Sequence, residues 1–241
     1  FVFIPVIFAF FFPWNSLIGD ITLFRDITLA DLAMNGIIAV FPWIVLILHL
    51  VRGRIWDGIL DMMLWAIWEC FIMLILCYLY PDRAESVIWH ASAYWEDMSQ
   101  WLYYGEGTEG NPSAWLPIHL THLGVIHVGA FILGLPALIL GTMQLNYMNF
   151  YVAKVLLASD NPLLTLPVAW HFWSIIRVIG YITIATAMFQ LFMKLVFRVP
   201  GRLGHFWLAW ISGMVLVVLD GVLKWQLADT VRELLRFMCD F

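Results

Sequence analysis

The chain has 241 residues, of which 63% are hydrophobic and 12% charged, where a soluble domain carries about 25% charged residues. Its net charge of −5 offers no basic face for nucleic acid, and three cysteines are too few for a disulfide framework. Several apolar runs approach 20 residues without the short alternation of a membrane β-barrel. The sequence therefore reads as an all-α integral membrane protein. It is a bundle of six or seven transmembrane helices with one acidic, aromatic-rich extramembrane segment, forming a single polytopic domain over residues 1–241.

In chain order, residues 1–12 are apolar but short for a span, and Pro13, Trp14 and Asn15 end them. The run opens on Phe1, so residues upstream of a first span and the remnant of a targeting segment both fit. Residues 19–31, with Asp20, Arg25, Asp26 and Asp31, read as a loop or a surface-lying helix. Residues 32–51 form a span with Pro42 as a possible kink. Arg52 and Arg54 follow at once and argue for a cytoplasmic end. Residues 59–80 form the next span, with Asp61 near its start and Glu69 near mid-depth. Cys70 and Cys77, about 10 Å apart along this helix, read as small core residues.

Residues 81–115 are the long extramembrane stretch. Asp82, Glu85, Glu96, Asp97, Glu106 and Glu109 stand there against Arg83. The scarcity of basic residues predicts a non-cytoplasmic loop or interfacial helix, with 87–104 as the amphipathic part. Residues 117–141 form a further span containing Pro136. Residues 145–158 either cross or lie along the membrane, and that choice decides between six and seven spans. Residues 167–196 and 205–222 are the last two spans, and 227–241 read as an amphipathic C-terminal tail. Gly124, Gly129 and Gly134, five residues apart, read as close helix-packing positions.

Function is sought first in Trp115 to His127, W-L-P-I-H-L-T-H-L-G-V-I-H, which sets His119, His122 and His127 within nine residues. At 100° per residue His119 and His122 lie about 60° apart, whereas His127 lies about 80° from His119 on the other side. One straight helix therefore makes no three-histidine site, but a pair joined by a ligand from elsewhere is easy. Ionisable groups at membrane depth mark a pathway, a partner or a cofactor. The plainer reading is that they hydrogen-bond neighbouring helices. His90 in the acidic segment and His171 in W-H-F-W (Trp170 to Trp173) complete the primary set. His127, His205, Arg177, Glu69, Glu96 and Asp97 are secondary candidates.

The Pro117-x-His119 opening after an acidic segment, with the later W-H-F-W, resembles the C-type membrane subunit of copper-dependent membrane monooxygenases over about a third of the chain. The arginine–aspartate pair that this family carries just before its proline and histidine is missing. H-F-W (His205 to Trp207) and R-x-x-G (Arg177 to Gly180) are similar to features of haem-binding oxidase helices. These likenesses imply copper or haem as cofactor. His171 and Arg177 suit iron and a propionate respectively.

The resulting expectation is an integral membrane subunit of a redox complex. It would bind a metal ion or haem-like group through histidines near the outer face, for electron transfer or oxidation of a small substrate. Its partners would be the lipid bilayer and other membrane subunits. Two alternatives stay open. One is a non-catalytic accessory subunit packing against partner helices, lipids or pigments. The other is a small proton or cation transporter using Glu69, Asp61 and Asp220.

Overall fold

The computed structural model describes residues 3–18, 22–24 and 27–239, the side chains of Asn15, Ile18, Leu23 and Phe24 excepted. Its elements are α1 (Phe3–Phe11), α2 (Trp14–Ile18), the hairpin β1 (Thr22–Phe24) with β2 (Ile27–Thr28), α3 (Leu29–Val51) and α4 (Ile55–Leu79). They are followed by α5 (Pro81–Val87), α6 (Ala91–Tyr104), α7 (Pro112–Phe131), α8 (Leu135–Leu157), α9 (Pro162–Ala169), α10 (Phe172–Phe197) and α11 (Leu203–Met238). Five of these, α3, α4, α7, α10 and α11, are long and apolar enough to cross a bilayer. The chain is thus a multi-pass helical membrane protein, with the apolar stripe Trp207, Ile211, Val215, Val218, Val222 and Trp225 of α11 turned outward as a lipid-facing surface requires.

The stretch expected as a loop or surface helix is a short hairpin followed directly by α3. Gly19, Asp20, Ile21, Arg25 and Asp26 lie outside the described residues. Thr28 caps α3, its hydroxyl accepting from the Asp31 amide while the Asp31 carboxylate accepts from the Thr28 amide. Asp31 therefore belongs to a helix start and not to a loop.

The expected span 117–141 is broken in two. Leu133 and Gly134 take positive φ (69° and 77°), and Pro136 opens the next helix instead of kinking the last. Residues 135–157 then form one 23-residue helix, α8, which turns back along α7. Gln144, Asn146, Asn149 and Lys154 masked it in the sequence by lowering its apolar signal, yet it is the most buried long helix of the bundle. Of the three glycines, Gly129 meets the start of α8, where an added Cβ would stand 3.0 Å from the Ala137 amide. Gly134 makes the turn, and Gly124 faces open space.

The expected span 167–196 is likewise divided. Pro162 opens α9, and α10 starts only after His171. At the C-terminus the expected separate tail is instead continuous with the last span. Helix α11 runs unbroken for 36 residues, and its end packs on α6 and α9, with the Ser159 hydroxyl donating to the Met238 carbonyl.

These turns sort into two ends. The Gly53 turn backs directly onto the Pro200 carbonyl, and Lys194 donates to Gly201 O. Arg52, Arg54, Lys194, Arg198 and Arg202 therefore share one end. At the other end Arg83 donates to the Phe10 and Phe12 carbonyls, and Lys224 reaches Glu109.

Candidate functional site

Helices α4, α7, α8 and α10 leave a cavity of about 430 Å³ between them, closed at one end by α6 and α11. Each wall is a helical stripe. Helix α7 contributes Trp115, His119, His122 and Ile126, spaced four, three and four residues apart. Helix α8 contributes Ala137, Gly141, Gln144, Leu145 and Met148, and α10 contributes Ser174, Arg177, Val178, Tyr181 and Ala185. Trp65 and Ala66 of α4 complete the apolar part. Trp89, His90, Tyr94 and Glu109 come from the segment between the spans.

The polar end is held by two ion pairs. Arg177 makes a two-pronged contact with Asp220, Nε to Oδ2 at 2.9 Å and an Nη to Oδ1 at 3.0 Å. A fork-to-fork pair of this kind fixes both position and plane. One turn further along α11, Lys224 donates to Glu109 at 2.7 Å and lies 5.1 Å over the Trp115 ring. His119 sits between the pairs, with Nδ1 3.8 Å from Asp220 and its ring 5.1 Å from Trp115. Counting from the outward Trp225, Asp220 lies about 7 Å along the helix axis, so the ion pairs form a layer near one boundary of the lipid-facing stripe.

Behind this layer Glu109 accepts from the Trp173 indole at 3.2 Å and stands 3.8 Å from His171 Nδ1. Burial acts to raise the Glu109 carboxyl, but Lys224, His171 and Arg177 more than offset it and lower it to about 2. Burial dominates at His171 and lowers its imidazole to about 4, the Glu109 charge opposing only in part. His171 is therefore neutral, with Nε2 3.2 Å from the Tyr151 hydroxyl.

Of the primary candidates, His119, His122 and His90 come together on the cavity. His90 adopts the left-handed conformation (φ 65°) at the start of α6. His171 lies behind the wall, 3% exposed, and does not line it. Arg177 and Asp97 line the cavity, and Asp97 Oδ1 accepts from the Thr108 amide and hydroxyl. His127 is engaged elsewhere, with Nδ1 2.8 Å from Leu123 O and Nε2 accepting from Trp210 at 3.0 Å. His205 starts α11 at the opposite end, and Glu96 is exposed. Glu69 is fully buried on α4, and neither of its oxygens has a hydrogen-bond partner among the described residues.

Among the described residues no three His, Cys, Asp or Glu side chains come within reach of one metal ion. The residues the sequence reading left out of the site are Glu109, Lys224, Trp115 and Gln144. A signal existed for one of them: Asp220 and Lys224 are four residues apart, on one helix face. Glu109 had none, because its partner is 115 residues away.

Comparison of the chain with known protein families, curated proteins and solved structures finds no match.

Proposed function

We propose that this chain is an integral membrane subunit that binds a small amphiphilic molecule in the cavity, within a redox complex whose electron carriers reside in partner chains. His119 and His122 would line the polar end of its site. The cavity carries the reading. Its volume suits a small-molecule site, one end is imidazole-lined and polar, and the other is built from Ala66, Ala137, Leu138, Gly141, Leu145 and Ala185. Among the described residues no group of three His, Cys, Asp or Glu side chains supports a copper site of the kind the sequence suggests.

The proposal includes a topology. Adding α8 to the five long apolar helices gives six crossings, and the nine-residue α1 is too short to cross alone. The arginine-rich end is then cytoplasmic, and residues 81–115 lie outside with the polar end of the cavity. Partner chains would cover part of the outward apolar surface, and the rest would meet lipid.

The test is extraction in polymer-bounded native membrane discs, with identification of co-eluting chains and a reduced-minus-oxidised spectrum. The expected result is a complex whose redox chromophore resides on partner chains. Elution alone, with no redox-active partner, contradicts the proposal.

One observation favours a second reading, a proton or cation path. A carboxylate buried without a partner is costly and marks function at membrane depth, and Glu69 is such a group. Proton or cation flux into proteoliposomes should fall with Glu69→Gln on this reading, and unchanged flux removes it.

A further inference from the structure

Three N–H groups in residues lining the cavity are buried and have no acceptor among the described residues. They are the indole Nε1 of Trp65, the indole Nε1 of Trp89 and the carboxamide Nε2 of Gln144. They come from three places: α4, the α5–α6 connection and α8. A buried donor without an acceptor forfeits its hydration with nothing in return, so these walls hold an unmet demand for acceptor atoms.

Charge is not in demand. Arg177 is committed to Asp220, Lys224 to Glu109, and Asp97 to Thr108. A phosphate or carboxylate head would enter with no uncommitted cation to meet it, and burying such a charge is expensive. A cationic head would find the two ion-paired carboxylates already neutralised. The remaining wall is aromatic, with Trp89, Trp115, Tyr94, Tyr147 and Tyr181 toward the polar end and Trp65 beside Ala66. Faces of this kind take a flat ring. The far end is aliphatic and small-residue, which takes a chain or ring substituent.

Resting on the reading of this cavity as a ligand site, we infer that its ligand is an uncharged, flat molecule with two carbonyl acceptors and an apolar tail, the quinone class. One carbonyl would accept from Gln144 on the α8 side and the other from the tryptophan indoles, with His122 on the adjoining wall.

The test uses the full chain in phosphatidylcholine nanodiscs and a benzoquinone with a decyl tail. Binding is read as saturable quenching of tryptophan fluorescence, with oleate and a lysophosphatidate as competitors. The inference expects one site, little displacement by either anion, and about tenfold weaker binding for Gln144→Leu and for Trp65→Phe, each of which removes one donor. Gly141→Phe fills the cavity at a position where an added Cβ meets nothing within 4 Å, and it should abolish binding while the protein elutes and melts as the parent does. Quinone affinity unchanged in both donor variants overturns the inference, as does tighter binding of oleate or lysophosphatidate than of quinone. If Gly141→Phe alters the binding of none of the three probes, the cavity itself is not a ligand site, and the underlying reading fails with it.

Discussion

At the scale of single residues the account turns on charges that are buried in pairs. Asp220 is 1% exposed and depends on the Arg177 guanidinium. Arg177→Leu strands a carboxylate in the bundle and should cost about 3–5 kcal/mol. The double variant Arg177→Leu with Asp220→Leu removes both charges and should recover most of that loss. Thermal unfolding in a mild detergent measures both, and equal losses in the single and double variants would deny the pairing its structural role. The Glu109 and His171 pair sets a pH dependence. Glu109 titrates near 2 instead of its ordinary 4.5, so its contribution is complete above 4.5 and drains away as pH falls toward 2. His171 is held neutral down to about 4 against an ordinary 6.5, so the unfolded chain takes up a proton first and stability falls between 6.5 and 4. Both act in the same direction. The melting temperature should drop from pH 6.5 downward, and the limb from 6.5 to 4 should become shallower in His171→Gln. A profile flat from 7 to 4 contradicts the burial of His171.

At the scale of elements, two glycines set helix geometry. Helices α10 and α11 pack closely where Gly180 and Gly213 face each other. A Cβ at Gly213 would stand 2.9 Å from the Gly180 carbonyl. Gly213→Val should force these helices apart, and because Arg177 and Asp220 lie one to two turns away on the same pair, it should weaken the ion pair too. Loss of stability well beyond that of Gly204→Val, where a Cβ meets nothing within 4 Å, is the expected outcome. At Gly134 both conformation and space are demanding: φ is +77°, and a Cβ would fall 2.6 Å from the Phe189 ring. Gly134→Ala should destabilise by about 1–3 kcal/mol, and Phe189→Leu in the same chain should return only the steric part. The length and apolarity of α3, α4, α10 and the first part of α11 were legible in the sequence because lipid-facing helices must be apolar along their length. Helix α8 was not, because a helix surrounded by other helices can carry polar groups on faces that lipid never meets. The Asn146 carboxamide, for example, donates to Asn35 at 3.0 Å. The break at Leu133 was hidden for a different reason: leucine rarely takes positive φ, and the freed Leu133 carbonyl is met by the Trp43 indole at 2.7 Å, 90 residues away.

At the scale of the whole molecule, the histidine cluster in α7 located the cavity but not its chemistry. His119 and His122 were legible as a pair from helical spacing alone. That Arg177, Lys224, Asp220 and Glu109 neutralise one another, and so leave the cavity without free charge, depends on α7, α10, α11 and the 105–111 loop meeting in space, which no spacing encodes. The proposed orientation has its own check. Glu106→Cys and Arg198→Cys place exposed thiols at opposite ends. On intact cells an impermeant maleimide should label the first and reach the second only after permeabilisation, and the reverse pattern inverts the topology. The most direct measurement on the central claim is native mass spectrometry of the chain released from native membrane discs, beside the Gly141→Phe variant prepared identically. The account predicts a one-to-one organic adduct on the parent chain, absent from the variant at unchanged stability. An adduct retained by the variant, or none on the parent chain, would contradict the cavity as the functional centre of this protein.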